Sequence, residues 1–128
     1  MQDRPDATEL LAAMKVFLET DVLPNLKGRA RFHALVSANV CGIVGREIEL
    51  APAQREAEIE RLCLLLGIAD DGAAGSDRAA FVRYLNEQLV DCIEAGAADQ
   101  GEWRAEVFTH LRETVREKLA IDNPSMLA

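Results

Sequence analysis

Residues 34–45 read ALVSANVCGIVG, twelve positions from Ala34 to Gly45 without a charge in a chain that is 28% charged. Arg31 and Arg46 bracket the stretch. Wound as a helix, Phe32, Leu35, Val36, Val40, Ile43 and Leu50 fall on one broad face, and the small residues Ala34, Ala38, Gly42 and Gly45 fall on another. A helix that is uncharged nearly all round is buried nearly all round. Twelve residues cover about 18 Å at ~1.5 Å per residue, too little to span a bilayer. The stretch therefore predicts the central helix, about residues 29–50, of an all-α bundle.

Outward from it, helix signals dominate and strand signals are nearly absent. Asp6 and Glu9 have capping-box spacing before Leu10, Leu11, Met14, Phe17 and Leu18, a first helix ending near Thr20 ahead of Pro24 and Gly28. Pro52 stands where a new helix commonly begins, and Ile59, Leu62, Cys63 and Leu66 form its stripe, stopped by Gly67. Ser76 or Asp77 is positioned to cap a fourth helix carrying Phe81, Val82, Leu85, Leu89, Cys92 and Ile93 up to Gly96. Asp99 and Glu102 repeat the capping spacing before a fifth helix with Trp103, Val107, Phe108, Leu111, Val115 and Leu119, which Asp122-Asn123-Pro124 stops. The expectation is a single domain over residues 1–128, a bundle of about five helices around the central apolar one.

Composition bounds the function. A chain of 128 residues, 49% hydrophobic, buries a core without metal or disulfide. Its net charge of −8 speaks against nucleic acid or an anionic membrane as partner. Residues 1–9 are polar and show no signal-peptide pattern, so a cytoplasmic location is expected. Cys41, Cys63 and Cys92 lie far apart in apolar patterns and read as free thiols in the core.

Catalytic constellations fail on inspection. The glycines from Gly67 to Gly75 follow a helix and lack the Gly-Lys-Ser/Thr ending of a phosphate loop. Asp70, Asp71 and Asp77 lack the order of a calcium loop, and His33 and His110 have no ligand set around them and read as helix-surface or boundary residues. No enzyme activity, metal or cofactor is expected. Two features remain. Lys27, Arg29, Arg31 and His33 form a basic cluster at the start of the central helix, where free backbone N–H groups favour an anion. Asn39 lies between Phe32 and Ile43 on the apolar face, where a buried amide must find partners. Together with Arg46 these residues are the candidate ligand-binding set. Asn39, Gly42, Asp122, Asn123 and Pro124 are the candidate structural anchors, with Gly42 admitting a close helix neighbour and the Asp-Asn-Pro turn docking the C-terminal segment.

The motifs P-D-A-x-E-L-L-x-A at Pro5–Ala13, L-P-x-L-x-G-x-x-R-F-H-x-x-V-x-A-N-x-x-x-I-V-x-R-E-I at Leu23–Ile48, and I-D-N-P at Ile121–Pro124 carry a resemblance. The chain resembles a small bacterial helical domain of unknown function, although the family often has arginine where this chain has Leu35. Proteins of that kind are encoded beside, or fused to, acyl-CoA dehydrogenases and aminoglycoside-phosphotransferase-like kinases. The resemblance implies an accessory or interaction module for a dehydrogenase-like or kinase-like partner. The apolar central helix adds the expectation of a homodimer. The alternative is a bundle that binds a small acyl, CoA-type or other anionic ligand.

Overall fold

A computed structural model describes residues 3–72 and 77–128, and these form helices with no strand among them. Four α-helices follow in order: α1 Ala7–Phe17, α2 Gly28–Leu66, α3 Arg78–Glu94 and α4 Glu102–Asp122. A π turn over Leu18–Val22 and 3-10 turns over Leu23–Asn25 and Pro124–Leu127 complete the chain. The expected second and third helices are one. Pro52 lies inside α2 instead of opening a new helix. Proline removes one i→i−4 hydrogen bond, but its fixed φ is already helical. No glycine or capping residue interrupts the surrounding Leu50-Ala51-Pro52-Ala53-Gln54-Arg55-Glu56, so the helix continues.

Helix ends obey local chemistry. The Asp6–Glu9 capping box forms, with Asp6 N–H donating to Glu9 Oε2 at 2.8 Å and Glu9 N–H to Asp6 Oδ1 at 2.9 Å. Asp77 accepts from Ala80 N–H at 2.9 Å and caps α3; Ser76, the other candidate, and Gly75 lie outside the described residues. Gly67 at φ +67° closes α2 with Ile68 N–H bonded to the Cys63 carbonyl at 3.1 Å, a Schellman closure. The Asp99–Glu102 box does not form, because α4 starts only at Glu102, after Gly101 at φ +89°.

Contacts divide the chain into two compact units, Met1–Ala51 with Ala120–Ala128, and Pro52–Leu119. In the first, only Leu23, Ala38 and Cys41 are buried among the described residues. The apolar helix is therefore not enclosed as expected. Its small-residue face is the covered one, while Phe32 is 62% and Val40 50% exposed, with Leu35 and Val36 also exposed. The second unit has a conventional core of Ile59, Leu62, Leu85, Leu89 and Val107, against which Phe81, Cys63 and Trp103 pack. Trp103 Nε1 donates to the Leu65 carbonyl at 3.0 Å. Arg78 ties Glu56 and Asp70 together, at 2.6 and 2.8 Å. Cys41 is buried, while Cys63 and Cys92 are half-buried, all as free thiols; burial pushes the Cys63 thiol up.

Candidate functional site

The first unit presents two features on α2. One is the exposed apolar stripe of Phe32, Val36 and Val40 at spacings of four, on the side opposite the buried Ala38 and Cys41. On α1, Leu10, Met14 and Phe17 make a second exposed stripe at helical spacing. The other feature is a cleft of about 380 Å³, which brings Asn39, Ile43 and Arg46 of α2 to Lys15 of α1 and the Asp122–Ser125 turn. Arg46 Nε donates to the Ile121 carbonyl at 2.7 Å, satisfying one of the free carbonyls at the end of α4. Pro124 stops the helix, and Ser125 Oγ donates to Asn123 Oδ1 at 2.6 Å across the turn. Lys15 Nζ pairs with Glu19 at 3.0 Å.

The candidate binding residues are thus divided. Asn39 and Arg46 meet in the cleft with Asp122, Asn123 and Pro124. Lys27, Arg29, Arg31 and His33 are exposed at the start of α2 and do not line it. Arg29 Nε donates to His33 Nε2 at 3.1 Å, one turn on, whereas Arg31 projects to another side of the helix. Asn39 is exposed rather than buried, because the face that carries it is the uncovered one. A Cβ on Gly42 would stand 3.2 Å from Arg46 Nη1 and 3.3 Å from Lys15 Cε, so its close neighbours are side-chain ends rather than a helix backbone.

Sequence reasoning missed a polar cluster in the second unit. Arg61 binds Glu117 through both guanidinium ends, at 2.9 and 2.6 Å, and Gln54 Nε2 donates to the Glu117 carbonyl at 3.1 Å. His110, expected at the surface or a boundary, is 4% exposed. Burial first, and Arg61 second, hold its pKa below the usual histidine value, against the opposing pull of Glu58 and Glu117. Arg61 Nε, His110 Nδ1 and Thr114 Oγ1 are buried without a hydrogen-bond partner among the described residues. The available signal was spacing. Trp103, Val107, His110, Thr114 and Glu117 recur every three and four residues, and that line, rather than Phe108, Leu111 and Val115, faces inward.

No group of three or more His, Cys, Asp or Glu side chains able to hold a metal occurs among the described residues, and no helix there is long and apolar enough to cross a membrane. Fold and site together define a small all-helical chain with an uncovered apolar face and a polar cleft beside it. The chain belongs to the family described as a domain of unknown function (DUF6285), whose model matches residues 24–126 and so begins after α1. No curated protein and no solved structure matches the chain.

Proposed function

We propose that the chain is a non-catalytic interaction module of the cytoplasm that pairs with a second copy through the exposed face of α2. In that form it serves an acyl-CoA dehydrogenase-like or phosphotransferase-like partner. The uncovered stripe of Phe32, Val36 and Val40 carries the reading. Charge supports the choice of a second copy. Arg29 and Glu47 are exposed and eighteen residues apart, about five turns, so they flank the stripe on one line of the helix. An antiparallel two-fold pair centred level with Ala38 sets each Arg29 against the partner's Glu47 and each Val36 against the partner's Val40. Sedimentation tests it. The wild type is expected at twice the 14.0 kDa chain mass. Arg29→Glu and Glu47→Arg each weaken the pair, and the double reversal restores it. A wild type sedimenting only as the monomer overturns the pairing. Co-migration of the purified chain with neither class of enzyme overturns the accessory role.

A second reading is favoured by the cleft around Asn39. Lys15, Arg46, Asn39 and Asn123 offer donors suited to a carboxylate or phosphate of a small anionic ligand, acyl or CoA-type molecules among them. Phosphate or acetate should then shift the side-chain amide resonances of Asn39 and Asn123, and Arg46→Gln should abolish the shift. Resonances that stay put in both anions remove this reading.

A further inference from the structure

The second unit holds a cleft of about 410 Å³ between α2 and α4, within the usual size of a small-molecule site. Leu64, Leu65 and Ala105 give it mainly carbon walls, and Leu64, at 86% exposure, leaves a large apolar side chain in water at its rim. His110 also lines the cleft, almost wholly buried, with Nδ1 unpartnered. Nδ1 is sealed from solvent and lies beyond the reach of a molecule in the cleft, which meets the ring at Nε2, a nitrogen with no hydrogen-bond partner among the described residues. We propose that this cleft binds a small, neutral, mainly apolar molecule bearing a hydroxyl group, with His110 as the residue that recognises the hydroxyl.

Charge and hydrogen bonding both select that class. The cationic lining residue, Arg61, is already engaged twice by Glu117, and the remaining charge, Glu106, is negative. The third donor, Arg61 Nε, is unpartnered but sealed from solvent, so an anion in the cleft finds no free cation to meet. Burial keeps His110 in its neutral form, so one ring nitrogen donates and the other accepts. With Nδ1 unpaired, nothing fixes which nitrogen carries the proton. A hydroxyl both donates and accepts, so it matches either tautomer, whereas a carbonyl matches only the N–H. Thr109 spends its own hydroxyl proton on the Ala105 carbonyl at 2.9 Å and adds acceptor capacity at the wall. This proposal uses no residue of the α2 pairing face, and either can fail without the other.

The test uses benzyl alcohol, toluene and benzoate as probes, because they share a ring and differ in the polar group. The single Trp, Trp103, bonded to the Leu65 carbonyl beside the wall, supplies a fluorescence signal, and the His110 ring protons supply a second by NMR. Benzyl alcohol is expected to bind about tenfold tighter than toluene or benzoate, and to shift the His110 resonances. His110→Phe should reduce it to the level of toluene, and Leu64→Asp should weaken all three. Equal binding of benzyl alcohol and toluene, tightest binding of benzoate, or no binding at all overturns the proposal. Should His110→Phe not fold, unchanged His110 resonances in the wild type with benzyl alcohol overturn it equally.

Discussion

Two glycines in one helix answer to different constraints. Gly28 opens α2 at φ +61°, a conformation that L side chains disfavour, and the space around it is open. Gly42 has ordinary helical geometry, and its near neighbours, Arg46 Nη1 and Lys15 Cε, are side-chain ends that need shift by only a few tenths of an ångström. Glycine inside a helix costs about 0.5–1 kcal/mol relative to alanine. Gly42→Ala is therefore expected to raise the unfolding free energy by about 0.5 kcal/mol, and Gly28→Ala to lower it by ~1 kcal/mol through backbone strain. Urea unfolding of the two variants checks the pair of signs. His110 makes a pH prediction. Its folded pKa lies below the unfolded one, so the unfolded chain binds the proton first. Its contribution is complete above the unfolded value near 6.5 and declines as pH falls through that value, levelling off only below the folded pKa. Arg61, Glu58 and Glu117 are the charges that bear on it, and the carboxylates Asp6, Glu56 and Asp70, whose pKa values are lowered by hydrogen bonds, act in a separate, more acidic window. Comparison of wild type with His110→Gln between pH 8 and 5 isolates the effect; parallel curves would refute it.

Among the elements, α2 bears the cost of its proline. Pro52 cannot donate to the carbonyl four residues back, and removing proline from a helix interior recovers up to about 3 kcal/mol. Part of that is offset, because proline also restricts the unfolded chain. Pro52→Ala should thus stabilise by ~1–2 kcal/mol in urea titrations, with no loss of helical circular dichroism. The same residue shows where the sequence was hard to read. Caps such as Asp6 with Glu9 and stops such as Gly67 and Asn123-Pro124 depend on neighbours a few positions away, and the chain itself displays them. A proline that starts a helix and one tolerated inside a helix look alike locally; what separates them is whether the turn before Pro52, residues 47–51, stays helical, and here it does. The face of α4 was illegible for a related reason. Hydrophobic content pointed to Phe108, Leu111 and Val115, yet these are exposed, and the polar line through His110, Thr114 and Glu117 turns inward. Arg61, fifty-six residues from Glu117, makes the burial of that carboxylate tolerable, and nothing local in the sequence announces the pair. For α2, apolarity was plain, but the covered side was not, since small residues proved to be the buried ridge.

The whole molecule carries a net charge of −8, so two copies repel one another at long range. Any pair must therefore be held by the apolar stripe, with the Arg29–Glu47 contacts setting its direction. Exposed ion pairs of that sort contribute ~0–1 kcal/mol and fade as salt screens them. High salt also screens the mutual repulsion, with a Debye length of about 3 Å at 1 M. These terms oppose each other, and burial of Phe32, Val36 and Val40 is indifferent to screening. The pair is accordingly expected to persist at molar salt, where an association held by charge alone would dissociate. Pairing also links folding to concentration, because a partner that binds only the folded chain stabilises it by mass action. The thermal midpoint should rise as the protein is concentrated from micromolar to hundred-micromolar levels. Val40→Glu, which places a charge at the middle of a face already half exposed, should abolish that rise while leaving the fold of the dilute chain intact. A midpoint that does not move with concentration in the wild type, at low or high salt, would show that the stripe has no second copy to cover it.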